Sequence, residues 1–214
     1  MNTTLKLLLV ALCVLFFGCN NDENQPGGAS SITNDGVLSG KIVDYVPNPI
    51  DSVMALGESF KEKWSGSIVS TGDFSVRITV PELSKFGTMS GLTVSDSTAM
   101  TGTIYVYVYR NKRLTGVLKK SNYDTDTISK AGMSYSSFVY SDRAFTVKGT
   151  HLFTNKSDNM TYTNNDTYQI TLKKGWNELV YRINNSTITT NSISSSTTLS
   201  NTIPSDLQWY IFKL

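Results

Sequence analysis

The sequence predicts an all-β protein built as an antiparallel β-sandwich, and two observations carry that prediction. Tyr, Thr, Ser, Val and Asn dominate the composition, whereas the helix formers Ala, Glu and Leu are sparse. Apolar and polar residues also alternate in many short stretches that turn residues separate, with hardly any helical period. Many short strands joined by turns are typical of sandwiches.

Residues 1–18 predict an export signal, because Lys6 precedes an apolar run, Leu7 to Phe17, that is too short to span a bilayer stably. Cys19 stands where this run has stopped and a polar segment begins. Gly18-Cys19 resembles a bacterial lipobox, which implies cleavage before Cys19 and acylation of its thiol. The alternative is an incidental cysteine. We expect a lipid anchor that binds the protein to a membrane.

Residues 19–35 predict a flexible tether between the anchor and the folded part. They contain the acidic pair Asp22-Glu23 and the turn-forming Pro26-Gly27-Gly28. The acidic pair resembles the signal that sends Bacteroidota lipoproteins to the outer face of the outer membrane, which implies a surface-exposed protein of the cell envelope. A solvated charge pair is the alternative.

The folded part has room for one large β domain or two small ones. A weak seam predicts an N-terminal β unit at residues 36–95 and a C-terminal β-sandwich unit at residues 96–214, unless it is a loop within one domain. The formal net charge is +2 without a long basic run, so we expect no nucleic acid partner. No cysteine follows Cys19, which excludes disulfides and cysteine zinc sites from the folded part.

The first half of the folded part predicts short strands and one hairpin. The clearest strand runs from Phe74 to Val80, because its alternate apolar residues share one face. Gly40 indicates a bulge, and Glu82 to Phe86 is compatible with a short helical turn. The other predicted strands are Val37 to Tyr45, Asp51 to Leu56 and Gly66 to Ser70.

The second half predicts three more hairpins, and a tight turn at Asn111-Lys112 closes the first of them. The paired segments are Thr103–Arg110 with Leu114–Lys120, Met133–Tyr140 with Ala144–Gly149, and Thr167–Leu172 with Trp176–Ile183. The polar stretch Asn155–Asn165 predicts a long exposed loop. Asn184–Thr202 predicts an edge strand or a loop, and Asp206–Lys213 a final strand.

Several motifs carry a resemblance to a known group of proteins. In chain order they are G-K-I-V-D-Y from Gly40, G-D-F-S-V-R-I-T-V-P from Gly72, Y-V-Y-R-N-K-R-L-T-G from Tyr107, L-K-K-G-W-N from Leu172 and the closing L-Q-W-Y. The chain resembles uncharacterised Bacteroidota surface lipoproteins, and its N-terminal part resembles transthyretin-like modules. This implies an Ig-like or transthyretin-like β-sandwich. The motifs are turns and strand ends, so the resemblance assigns no catalytic residue.

A stripe of tyrosines is the strongest candidate for a binding site. Tyr105, Tyr107 and Tyr109 alternate with apolar residues, so their rings stand on one face of a strand, about 7 Å apart. Such rings offer a flat apolar platform to sugar rings or to a partner protein. The alternative is that a second layer covers the stripe and makes it core. Trp64, in a predicted polar loop, is a second candidate contact.

The remaining candidates are single residues or short patterns. His151 is the only histidine, and one residue is not a catalytic constellation, so it receives no role. Asp124-Thr125-Asp126 lacks the glycine and the distal glutamate of a calcium loop, and we expect neither a metal nor a cofactor. Ser52, Ser97 and Thr127 each follow an aspartate, in a pattern that resembles the O-glycosylation acceptor of exported Bacteroidota proteins.

These observations favour a non-catalytic binding or structural module of the cell envelope, for glycans or for another envelope protein. One alternative is a subunit of a surface assembly, such as an adhesin or a nutrient-uptake accessory, which should expose a long unpaired strand edge. Another is a carbohydrate-active enzyme, which needs two close carboxylates in a cleft. A glycan binder should expose the tyrosine stripe or Trp64 in a groove.

Overall fold

The computed structural model describes residues 31–46, 50–124, 130–157 and 160–214 of the chain. The predicted signal peptide, Cys19 and Thr127 lie outside these residues. The described part is all-β, and none of its segments is a helix with the length and hydropathy to cross a membrane. Its strands are β1 (Val37–Lys41), β2 (Ser52–Gly57), β3 (Lys63–Ile68), β4 (Asp73–Arg77), β5 (Ser84–Lys85), β6 (Leu92–Val94), β7 (Met100–Arg110), β8 (Arg113–Ser121), β9 (Ser134–Ser141), β10 (Phe145–Ser157), β11 (Met160–Leu172), β12 (Gly175–Ile188), β13 (Ser192–Ser200) and β14 (Gln208–Lys213).

These strands form one large mixed sheet. Its order is β1-β4-β3-β2-β7-β8-β9-β12-β13-β11-β10-β6, with β14 bonded to β8 and β5 bonded to β7. The pairs are antiparallel except β11 and β13, which run parallel. Pairings such as β2 with β7 and β6 with β10 cross residue 95, so strands from both predicted units are hydrogen-bonded to one another.

A first hydrophobic core joins side chains of β1, β2 and β4 to side chains of β7, β8, β9, β12 and β14. Trp209 packs among them: its ring is stacked 5.6 Å from Phe138 and meets Phe74 edge-on at 4.9 Å. The β1–β4 register stays regular at Gly40, so the predicted bulge is wrong. The glycine instead leaves room for the Trp209 indole, which a side chain would strike.

A second hydrophobic core lies on the opposite face of β9 and β12. Phe138 belongs to the first core and its neighbour Val139 to the second, because successive residues of a strand point to opposite faces. On β12, Trp176 likewise belongs to the first core and Leu179 to the second. The buried members of the second core are Ala99, Val139, Phe145, Val147, Ile170, Leu172, Leu179 and Leu199. Both cores therefore depend on the same two strands.

A buried ion pair connects β8 and β12 on the first-core face. The Lys120 ammonium lies 2.9 Å from Oε1 of Glu178, and the Glu178 side chain has no exposed surface. Ser136 Oγ donates to the same oxygen at 2.6 Å, and the backbone N–H of Ser31 donates to Oε2 at 2.7 Å. The first described residue is thus fastened to the interior of the sheet.

Two of the predicted hairpins are confirmed. Asn111-Lys112 forms the two-residue turn between β7 and β8, and both residues have positive φ, as a type I′ turn requires. The turn at residues 71–73 joins β3 to β4, which are also paired. The strand containing Phe74 ends earlier than predicted, at Arg77, so Val80 is 52% exposed and is not a core residue.

The other two predicted hairpins are wrong. β9 pairs with β12 and not with β10, while β11 pairs with β10 and β13 and not with β12. The segment that connects β9 to β10 explains why these two strands do not form a hairpin, because its side chains bind another part of the chain. Asp142 accepts the backbone N–H of Met100 at 2.9 Å and binds the Arg143 guanidinium, which also lies 3.5 Å from Asp96.

The predicted loop at Asn155–Asn165 is also wrong, because β10 and β11 continue through it as a ladder out to Ser157 and Met160. Asn184–Thr202 contains the end of β12 and the whole of β13, which is an internal strand between β12 and β11.

We call these outer strand segments the wing: residues 150–157, 160–167, 184–188 and 192–197. Apart from Ser157, whose side chain is not described, none of these residues belongs to a core. Glu82–Phe86 holds the short strand β5 and not a helical turn.

Candidate functional site

The tyrosine stripe lies on the face of β7 that points away from the first core. Ile104, Val106 and Val108 are buried in that core, so the tyrosines between them take the opposite face. Tyr105 is 43% exposed, while Tyr107 and Tyr109 are half-buried. The stripe therefore presents one accessible ring and two that are partly covered.

Phe60 covers part of the stripe. It stands in the turn between β2 and β3, where its N–H donates to the Gly57 carbonyl at 2.9 Å. Its ring is stacked on Tyr105 at 6.2 Å and tilted over Tyr107 at 6.4 Å, and yet it remains 53% exposed. Its φ of 59° is left-handed, which is strained for a bulky residue. The fold thus holds an exposed aromatic ring in an unfavourable backbone conformation.

A second pair of tyrosines continues the same face. Tyr135 of β9 and Tyr181 of β12 are directly paired, and their rings are stacked at 4.9 Å with planes 1° apart. Tyr181 is paired with Leu199 of β13, which is paired with Tyr168 of β11. Paired residues share a face, so these side chains form one row about 14 Å long, given the usual strand spacing. Leu199 is buried in the second core, and Tyr168 and Tyr181 are partly buried against it. We call the tyrosine stripe, this row and Phe60 together the aromatic face.

The hydroxyl groups of the aromatic face influence one another. Burial raises the pKa of Tyr135 to about 12, and the neighbouring charges of Tyr123, Asp166 and Tyr105 act in the same direction. Burial also raises the pKa of Tyr181, with further contributions from Tyr135, Tyr168, Tyr105 and Asp166. Tyr105 of the stripe and Asp166 of β11 thus both act to raise the pKa values of Tyr135 and Tyr181.

Asp166 lies beside this row, two residues before Tyr168 on β11. Asn164 Nδ2 donates to both of its carboxylate oxygens at 2.9 Å, and Ser195 Oγ holds the Asn164 side chain at 2.7 Å. Burial raises the pKa of Asp166, although hydrogen bonds from Thr197 and Asn164 oppose this rise. The site thus contains a half-buried carboxylate next to tyrosine rings.

His151 lies in the middle of β10. It is the pairing partner of Asp166, and its Nδ1 lies 3.0 Å from the Ser90 carbonyl oxygen. Trp64 is not in a loop. It lies in β3, packs partly against the first core, and donates from Nε1 to Thr79 Oγ1 at 2.9 Å. A partly buried, hydrogen-bonded indole is a poor candidate for an exposed contact.

The predicted acceptors for O-glycosylation differ in accessibility. Ser52 lies half-buried in β2 between two strands, and its hydroxyl donates to Asp51 at 2.8 Å. Ser97 is exposed in a turn in which Asp96 accepts from the Thr98 N–H at 2.8 Å. Of these two, Ser97 is the accessible hydroxyl.

Two carboxylates lie at the turn that carries Phe60, and a surface depression lies at the β7–β8 hairpin. Glu62 accepts the Glu82 N–H at 2.7 Å and Ser59 donates to Glu82 at 3.1 Å, so both acids close the turn that carries Phe60. Within the described residues, no three acidic, histidine or cysteine side chains are grouped as metal ligands. A depression of about 580 Å³ lies at the tip of the β7–β8 hairpin, lined by Arg110, Asn111, Arg113 and Thr115.

The sequence did not point to Phe60, Tyr135, Tyr181 or Asp166 as site residues. Tyr135 and Tyr181 were recognisable as strand residues, like the tyrosines of β7, because apolar and polar residues alternate around them. Their juxtaposition depends on the β9–β12 pairing, which no local pattern encodes. Phe60 carried no signal, because only the folded turn places it over Tyr105.

Comparison with known proteins gives no identification. Neither the models of known protein families, nor the curated proteins, nor the solved structures include a match to this chain.

Proposed function

We propose that this chain is a membrane-anchored lipoprotein of the cell envelope whose β domain is a non-catalytic glycan-binding module. Cys19, at the end of the apolar leader, supports the lipid anchor and export to the outer membrane surface. We also propose an Ig-like or transthyretin-like sandwich for the layers around the first core. The single core that β1, β2 and β4 share with β7, β8 and β9 supports that arrangement.

One observation carries the glycan proposal: an exposed phenylalanine held in a strained turn above an exposed tyrosine. Backbone strain persists only where the surroundings enforce it, and it is concentrated at ligand sites. The outer face of Phe60 is open, and an open aromatic ring is the surface on which a sugar ring stacks. The hydroxyl group of the exposed Tyr105 adds a polar group suited to sugar hydroxyls.

A second candidate function is a subunit of a surface assembly, and a separate observation favours it. β6 covers only Val147 to Gly149 of β10, so the wing part of β10 has an edge without a neighbouring strand among the described residues. Leu152 and Phe153 on this edge are 64% and 52% exposed. An edge of this kind accepts a strand from a partner protein.

A glycan array with the chain from Ser30 onward tests the first candidate. We expect binding by the wild type and loss of binding in Phe60→Ala and Tyr105→Ala. Leu152→Ala is the matched control, because it removes a more exposed apolar side chain from the opposite face of the sheet. Wild-type protein that binds no glycan, or equal loss in all three variants, would contradict the proposal.

The variant Phe60→Gly distinguishes the effect of the Phe60 ring on binding from the effect of the strained backbone. Glycine adopts a left-handed φ without strain, so this variant should be about 1 kcal/mol more stable to urea than Phe60→Ala. It should nevertheless bind glycan as poorly as Phe60→Ala does. Retained binding in Phe60→Gly would show that the ring is not the contact.

A further inference from the structure

Asp166 is a charged group on the aromatic face that the proposed function leaves unexplained. Asp166 lies in a row across three strands, between His151 of β10 and Thr197 of β13. The neighbouring row on the same face contains Tyr168 and Tyr181. The carboxylate is therefore next to the tyrosine rings, on the side of the wing.

This carboxylate is held in place by neutral donors. The Asn164 amide donates to both oxygens at 2.9 Å, and Thr197 contributes a further hydrogen bond. Ser195 in turn fixes the Asn164 amide at 2.7 Å. Each carboxylate oxygen has two lone pairs, so this network positions Asp166 and leaves acceptor capacity for a ligand.

The negative charge of Asp166 is not matched by a fixed cation. None of the ion pairs found among the described residues includes it, in contrast to Glu178, which is paired with Lys120. The two rows around it contain no lysine or arginine, and its cross-strand neighbour His151 acts to lower the pKa of Asp166. A half-buried carboxylate that forms no salt bridge is complementary to a cation and repels an anionic ligand.

We propose that Asp166 binds the protonated amino group of an amino sugar within the glycan that the aromatic face holds. This inference rests on the proposed glycan-binding function and adds the class of sugar. Charge complementarity favours the amino sugar, because an ammonium group forms a charge-assisted hydrogen bond that a neutral hydroxyl does not. The adjacent tyrosine rings are also favourable neighbours for a cation.

Calorimetric titration of the full chain in detergent tests the proposal with three hexasaccharides of equal length. They are a β-1,4-linked glucosamine hexamer, its fully N-acetylated form and the corresponding glucose hexamer. We expect the wild type to bind the glucosamine hexamer about tenfold tighter than the other two, as one charged hydrogen bond allows. Asp166→Asn should lose this preference and keep its affinity for the glucose hexamer.

Asp44→Asn is the matched control. It removes the same charge from an exposed turn after β1, and asparagine tolerates the positive φ of that position. The control should keep the preference for the glucosamine hexamer. Equal affinities in the wild type, a preference that survives in Asp166→Asn, or one that is lost in Asp44→Asn as well would overturn this inference alone. Wild type that binds no hexasaccharide would overturn the glycan proposal with it.

Discussion

Glu178 keeps a charge inside the sheet because Lys120, Ser136 and Ser31 all donate to it. Lys120→Met removes the cation and leaves a buried carboxylate without its partner. We expect a loss of about 3–5 kcal/mol in the free energy of unfolding, measured by urea denaturation at neutral pH.

The double variant Lys120→Met/Glu178→Leu is the control for this prediction. Replacing both charges with apolar side chains removes the unpaired group, so the double variant should be clearly more stable than Lys120→Met. A loss below about 1 kcal/mol in the single variant would show that the pair is not needed for stability.

Tyr135 makes the protein sensitive to high pH. Its pKa is raised to about 12 by burial, while an unfolded tyrosine ionises near pH 10. The folded state therefore holds this proton more tightly, and the stability that it contributes below pH 10 is lost as the pH rises to about 12. We expect Tyr135→Phe, which cannot ionise, to lose less stability than wild type over this interval.

Denaturation at a series of pH values measures this difference, and the exposed Tyr162 provides the matched control as Tyr162→Phe. Parallel curves for Tyr135→Phe and the wild type would contradict the prediction.

Single residues were predictable where a period-two pattern sufficed. Alternation separated Tyr105 from Ile104 on β7 and placed the two on opposite faces, as the structure has them. It did not say whether the tyrosine face was covered, because that depends on Phe60. Trp64 was misplaced because its polar neighbours concealed a strand that has only one buried face.

At the scale of elements, the β7–β8 turn offers a direct test. Lys112 has a φ of 63°, in the left-handed region that glycine adopts without strain. Lys112→Gly should therefore stabilise the protein by about 1 kcal/mol and raise its Tm by about 2–4 °C. Lys112→Ala keeps the strain and should give no increase. A lower Tm in Lys112→Gly, measured by thermal unfolding, would contradict the type I′ assignment.

Strands were easier to predict than their partners. The β7–β8 hairpin was predicted correctly because its turn depends only on the local residues Asn111-Lys112. β9 and β10 are close in sequence, but the Asp142–Met100 hydrogen bond and the β9–β12 ladder decide where each strand lies. Asn155–Asn165 was predicted as a loop because this part of the wing supplies no residue to a core and so lacks a pattern of alternating apolar residues.

At the scale of the whole molecule, the two cores should unfold together. β9 and β12 supply side chains to both, so neither core remains complete when these strands separate. We expect one urea midpoint for the fluorescence of Trp176 and Trp209, in the first core, and for hydrogen exchange at Val147 and Ile170, in the second. Separate midpoints would contradict this prediction and would indicate two independent units.

The all-β class was predictable from the sequence, whereas the arrangement of the strands in the sheet was not. Composition and strand spacing indicated an all-β protein, which is confirmed. The single mixed sheet with a parallel β11–β13 pair was not foreseen, because long-range pairing leaves no trace in a local pattern.

The contact between Ser31 and Glu178 has a mechanical consequence. A force applied to the chain before Ser31 acts first on the Ser31 hydrogen bond to Glu178, and on the bond from the Ser39 N–H to the Ser31 carbonyl. Glu178 lies in β12, which is flanked by β9 and β13, so the load is shared with strands on both sides. A load on this segment is therefore transmitted first to an internal strand of the sheet and not to an edge strand.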